Sequence, residues 1–416
     1  MSTRNDDGGS AGGDALPPGG AAAGPIDLLL RYLARPFREN PWGAALAVAL
    51  LIVALLLRLT LFGFEGNDFR YFMGPWYDYI ASHGGFAALK DPFSDYTPPY
   101  LYLLAIAVAL PLKKIYAIKV VAVAFDVLLA AFVARAVRER RRAGPLSSLA
   151  FFAVLFAPTV VVNSALWGQN DAIFTSFLLL TVLLLIRNKN AAAMLAFGVA
   201  MSFKAQAVFL CPLLLVLLVK RRILFRHFLL VPAAYAVLMV PAALIGRPVA
   251  DLLLVYTRQA GEYPHLTMGA PNLYQWLPDN WGLLRNPGIL LTIAVVLALA
   301  FVAARSALPI DADGIVRLAL LSAVTVPFLL PGMHERYFFP ADVLAILYAF
   351  YFPRFFAVPL VVGLVSFFAY LPFLTGRTIV GANVLAIVML AVLVLLAHDW
   401  LRTLDLGAGP GSARRG

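Results

Sequence analysis

Between Pro331 and Leu347 the chain reads PGMHERYFFPADVLAIL, which sets His334, Glu335, Arg336, Tyr337 and Asp342 among apolar neighbours. Ionisable groups are costly in or near a bilayer and mark function when they occur there. His334 is a switchable donor and Arg336 a permanent one, and Glu335 could fix either through an ion pair. FEGNDFRYF (64–72) contains Glu65 and Asp68. Asp68 suits a general base held at a membrane surface, or an N-cap for the amphipathic stretch that follows it, and the two roles are compatible. ALWGQND (165–171) offers Trp167, Gln169 and Asp171 at the end of an apolar run. The tryptophan suits an interfacial anchor, and the amide and carboxylate suit sugar hydroxyls. SFKAQA (202–207) places Lys204 and Gln206 between apolar flanks, where a lysine either snorkels or holds an anionic headgroup. Three possible cations and a carboxylate at a lipid interface match a phosphate leaving group and a base.

These groups need a scaffold, and the composition names its class. Of 416 residues, 62% are hydrophobic and 13% charged, far from the half and quarter of a soluble domain. The chain reads as an all-α polytopic membrane protein. Its net charge of +11 fits basic cytoplasmic loops and anionic lipid rather than nucleic acid. One cysteine, Cys211, excludes a disulfide framework. Residues 1–25 are rich in Gly, Ala and Pro without a signal-peptide core, and are expected as a disordered cytoplasmic tail, with a second tail at 406–416. The span between, 26–405, is expected as one transmembrane domain.

Apolar runs occur at 42–63, 98–112, 116–136, 146–164, 172–187, 191–219, 223–245, 287–305, 315–332, 338–353, 355–373 and 378–399. Basic clusters at Arg31–Arg38, Arg135–Arg142, Arg187–Lys189 and Lys220–Arg226 mark the inner side. For the signs to agree, 98–112 must be interfacial or re-entrant, and 191–219 must be a helical hairpin turning at Lys204. About twelve spans follow, with interfacial helices in the first outer loop and both ends inside. On that reading the loop 64–96, the WGQND stretch, the Lys204 turn and His334–Tyr337 share the outer side. A fifth outer segment, 246–286, is long and aromatic, and Tyr274 and Trp276 in it are expected to influence acceptor choice. DYTPPYLYLL (95–104) closes the first loop, with Asp95 read as part of a turn beside an aromatic belt.

In this order, GNDF, DYTPPYLYLL, NSALWGQND, SFKAQAVFLCPLLL and MHERYFFPADVLAIL together resemble the bacterial relatives of the GPI mannosyltransferase II family, over roughly residues 40–350. That family belongs to the GT-C superfamily of polytopic glycosyltransferases. The resemblance implies a GT-C-like domain that takes a sugar, mannose first, from a polyprenyl-phosphate donor and inverts the anomeric carbon. It implies a first-loop acid as base, which maps onto Asp68 with Glu65 three residues away. His334, Arg336 and Lys204 are then candidates for the phosphate. Trp167, Gln169, Asp171, Glu335, Tyr96 and Gln206 are candidates for the sugar or acceptor. The resemblance also implies no cofactor or metal, consistent with outer loops that contain no D-x-D pair and no His/Cys cluster of ligand spacing. The chain ends after its last apolar run, without the large soluble C-terminal domain of the oligosaccharyltransferase branch. The other class to weigh is a transporter or flippase of an anionic lipid or lipid-linked sugar. Transporter sites lie near the midplane on broken helices of related halves, whereas these residues gather at span ends.

Overall fold

The computed structural model describes residues 40–141, 144–259 and 262–404. Both expected tails and the Arg31–Arg38 cluster lie outside those residues. Two units divide the chain at Ile52, and the site lies wholly in the second, from Val53 onward.

Nearly all regular structure is helical. Among the described residues, seven helices are long and apolar enough to cross a bilayer: Pro41–Leu61 (α1), Lys114–Arg140, Phe225–Ile245, Trp281–Arg305, Ala312–Leu329, Pro353–Thr375 and Ala382–Leu401. They make this an all-α integral membrane protein. An eighth crossing results if Pro145–Leu155 and Pro158–Trp167, bent by 48° at their junction, are counted together. The proline at 158 opens the second piece, where the preceding residue is extended (Ala157 φ −60°, ψ 123°). Five apolar helices are shorter: Pro98–Val108 (α2), Asp171–Ile186 (α3), Asn190–Phe203 (α4), Ala205–Val219 and Phe339–Tyr351 (α5). Helix lengths alone therefore do not establish twelve spans. Two of the short helices, α3 and α5, are buried along most of their length. A helix surrounded by protein need not match the hydrocarbon thickness.

The turn at Lys204 is a true reversal. Asn190 Nδ2 donates to the Arg222 carbonyl at 2.7 Å, and Arg222 reaches back to Leu185 O at 3.1 Å and Asn188 Oδ1 at 2.8 Å. Both ends of the 190–219 segment thus meet, and Lys204 takes extended backbone at the break (φ −156°, ψ 134°). The run 98–112 contains only the short α2. Eleven residues of α2 rise only about 16 Å. Thr97, just before it, donates to Ser202 O at 2.6 Å, and Lys114, just after it, pairs with Asp78 at 2.6 Å.

Basic residues collect at the other end of the bundle. From Asp171, α3 runs sixteen residues to Arg187, which pairs at 3.4 Å with Glu139. Arg140 meets Asp313 at 2.6 Å, and Asp399 takes Arg317 at 2.7 Å and Arg354 at 2.5 Å.

Lys119 was invisible within its apolar run, and it fixes the start of the first loop. Its Nζ donates to the carbonyls of Phe62 at 3.0 Å, Phe64 at 2.7 Å, Leu166 at 2.8 Å and Leu61 at 3.3 Å. These include the carbonyls that the end of α1 leaves without helical partners. We expect Lys119→Met to strand several buried acceptors and destabilise the fold by at least about 3 kcal/mol. A clearly lowered unfolding midpoint in detergent is the check, and an unchanged midpoint would reject the clamp.

Candidate functional site

Asp68 sits at the head of a π-helical turn, Phe69–Met73, whose Phe69 and Met73 anchor in an apolar cluster with Trp76, Ile80, Tyr100 and Leu101. Its side chain caps nothing. Instead Oδ2 accepts from Trp167 Nε1 at 2.8 Å and from Gln169 Nε2. Gly168 between those donors has φ +80°, a conformation that resists a Cβ, and so the chain turns between the two donors. Oδ1 of Asp68 has no hydrogen-bond partner among the described residues, and Asp68 lines a cavity of about 920 Å³.

Lys204, His334, Glu335 and Arg336 line the same cavity, as do Tyr96, Gln169 and Gln206. Lys204 and Arg336, two cations of the cavity, each have an anion. Lys204, 7% exposed as a residue, donates through Nζ to Asp171, and that Nζ lies 3.3 Å from Asn170 Oδ1. Arg336 Nη1 donates to Glu335 Oε1 at 2.9 Å, and its Nε lies 3.9 Å from Asp171 Oδ2. The guanidinium also stands 5.3 Å from the centre of the Trp167 ring. Trp167 therefore touches both halves of the site, with its N–H on Asp68 and its face beneath Arg336. Behind it, Phe373 stacks at 5.1 Å and Tyr370 meets the ring edge-on at 5.5 Å.

His334 forms a two-residue parallel strand with Thr267–Met268 (Thr267↔Met333, Met268↔His334), and Glu335 N donates to Met268 O at 3.0 Å. Gly332 with φ +79° lets the turn enter that pairing. Burial pushes the His334 imidazole below its ordinary value, against the pull of Glu335 at 3.8 Å, so the ring is neutral at pH 7. Burial alone would raise Glu335, but its His334 and Arg336 neighbours outweigh that and hold it below the usual carboxylate range. Burial also opposes the Arg336 charge, and Glu335, Asp68 and Asp171 together more than offset it. His334 is accordingly a neutral hydrogen-bonding group here, whereas the sequence reading treats it as a possible cation.

Several expected site residues sit elsewhere. Glu65 is exposed and does not line the cavity. Trp167 and Asp171 are buried behind the cavity wall, at 0% and 2% exposure, and act on Asp68, Lys204 and Arg336 instead of facing a ligand. The 246–286 segment does reach the cavity, through Gln259, Glu262, Tyr263, Met268 and Gly269. The two residues expected to govern acceptor choice do not. Tyr274 is buried, with its hydroxyl donating to Leu329 O at 2.7 Å, and Trp276 Nε1 donates to Asn383 O at 3.2 Å. Their aromatic and amide-rich surroundings had marked them, yet those side chains fasten the segment to the helices.

Asp95 lines the cavity although the sequence favoured a plain turn residue, and Gln259 Nε2 donates to its carbonyl. Glu262, exposed beside Asp95, is raised by burial and then by that neighbouring charge. Among the described residues no three His, Cys, Asp or Glu side chains converge in a metal-binding arrangement. The cavity thus presents one carboxylate oriented by two N–H donors, two charge-balanced cations, and aromatic walls. No protein-family model matches the sequence, and no curated protein is significantly similar to it.

Proposed function

We propose that this chain is a GT-C-type membrane glycosyltransferase. It transfers a hexose, mannose first, from a polyprenyl-phosphate donor to an acceptor hydroxyl on a glycan, lipid or protein of the cell envelope. The observation that carries this reading is Asp68. Its Oδ2 is held by two donors, Oδ1 has no hydrogen-bond partner among the described residues, and the residue lines a cavity shared with Lys204 and Arg336. A single displacement accounts for the arrangement. Oδ1 takes the acceptor proton as the hydroxyl oxygen attacks C1, and the C1–O bond breaks with its electron pair passing to the phosphate. Inversion follows from attack opposite the leaving group. The departing phosphate needs no general acid, only donors where its charge grows, and Arg336 and Lys204 with neutral His334 supply them.

The membrane topology belongs to the same reading. Eight long crossings and four of the short helices, all but α2, give twelve spans. The basic end of the bundle then faces the cytoplasm, which places the cavity on the outer face of the bacterial inner membrane. A transporter or flippase is the competing class, and the cavity's polar groups, gathered at helix ends, speak against it.

Purified protein in liposomes with polyprenyl-phosphate mannose, radiolabelled in the sugar, tests the proposal when a cell-envelope extract is supplied as acceptor. Loss of label from the lipid supports it. No loss across several sugars, together with movement of intact labelled lipid between leaflets, would overturn it in favour of a flippase.

The protonation of His334 gives a sharper expectation. Its value is lowered from 6.5, so the ring gains charge only as pH falls below the ordinary histidine range. Above pH 6.5 a neutral amide should replace it without altering the pH dependence. We expect His334→Gln to slow release by up to about tenfold, the worth of one hydrogen bond, and to keep the wild-type profile shape between pH 6.5 and 8. A limb near pH 7 that vanishes in the variant would show that His334 titrates there.

A further inference from the structure

Among the described residues, Arg285 is a cavity cation that has no anion beside it. Lys204 is answered by Asp171 and Arg336 by Glu335. Arg285 is half-buried and lines the same cavity, yet among the described residues it makes no ion pair and no hydrogen bond. Its guanidinium rests 5.4 Å from the centre of the Trp281 ring. Both belong to Trp281–Arg305, which Asn280 caps by accepting from Leu283 N at 3.1 Å. A cation near the positive end of a helix gains nothing from the helix dipole, so stability does not explain its place.

Its position relates it to the phosphate donors. The Trp281 ring packs beside Gly332, where an added Cβ would lie 3.5 Å from Cη2, and Gly332 is two residues before His334. One turn beyond Arg285, Ile289 also lines the cavity, while Leu290 and Ile293 on the same helix are 65% and 49% exposed. Arg285 thus stands where the His334–Arg336 wall meets the lipid-facing surface.

We propose that Arg285, steadied by Trp281, is a second contact for the phosphate of a prenyl-linked substrate, made as the lipid enters and kept throughout transfer. This inference rests on the donor reading above. An arginine held over an aromatic ring, as Arg285 is over Trp281, keeps its planar fork for phosphate oxygens, which lysine lacks. An interaction present before and during the reaction strengthens binding without lowering the barrier from the bound state. Arg285 therefore acts on KM more than on kcat.

The test is equilibrium binding of farnesyl phosphate to the full chain in detergent, with farnesol and inorganic phosphate as comparison ligands. Wild type should bind farnesyl phosphate in preference to both. Arg285→Gln should weaken that binding roughly 10- to 100-fold with an unchanged unfolding midpoint, and Arg285→Lys should recover only part. Unchanged binding in Arg285→Gln, beside loss in Arg336→Gln, overturns the inference and leaves the donor reading intact. Wild type that binds farnesol as well as farnesyl phosphate removes both. Displacement by equimolar inorganic phosphate assigns the site to a soluble anion and overturns the lipid ligand.

Discussion

Asp68→Asn lowers the rate of sugar release from a polyprenyl-phosphate donor by about 10²- to 10⁴-fold, the range a positioned general base contributes. The substitution is chosen because asparagine is nearly isosteric. Its side-chain oxygen can still accept from Trp167 Nε1 and Gln169 Nε2, which both bond Asp68 Oδ2. The loop therefore keeps its anchors while losing the group that takes a proton. Donor binding should change little, because Asp68 is not a phosphate ligand in this scheme, and the loss should fall on kcat. Glu65→Gln serves as the internal comparison: Glu65 is exposed and does not line the cavity, so its variant should retain most activity. Full activity in Asp68→Asn would sink the assignment of the base. Equal losses in both variants would point instead to a general requirement for negative charge in the loop.

Much of the fold was legible because two strong rules act on a membrane chain. Backbone groups in lipid must bond internally, which makes apolar runs helices, and basic loops favour one side. Those rules placed the reversal at Lys204 and the short α2. The same charge reasoning grouped Asp68, Lys204, His334 and Arg336, which line one cavity. What the sequence withheld was pairing. Nothing in SFKAQA and WGQND reveals that Lys204 takes Asp171, because the pair is 33 residues apart and set by how α3 meets the turn after α4. Lys119 drew no notice within its apolar run, since its four carbonyl partners come from segments distant in sequence. Tyr274 and Trp276 were misleading for the opposite reason. An aromatic ring with a polar tip suits a ligand wall and a helix-to-loop fastening equally well, and only the Leu329 and Asn383 carbonyls decide between them.

Arg336→Gln should slow release by about 10²- to 10³-fold, as loss of a donor aimed at developing charge does. It should also destabilise the protein, and the two effects need separating. Arg336 is 11% exposed in its side chain and paired with Glu335 at 2.9 Å. Removing one partner of a buried pair strands the other charge and costs about 3–5 kcal/mol. The double variant Arg336→Gln, Glu335→Gln removes both charges at once. Its unfolding midpoint should recover much of the loss, since the stranded carboxylate is gone, whereas its rate should stay low because the phosphate still lacks its donor. Arg336→Lys gives the complementary view. An ammonium preserves the charge opposite Glu335 but not the planar fork that lies 5.3 Å from the centre of the Trp167 ring, so stability should be regained ahead of rate. If the double variant recovers rate along with stability, Arg336 serves the fold alone, and the leaving phosphate must be met by Lys204 and His334 without it.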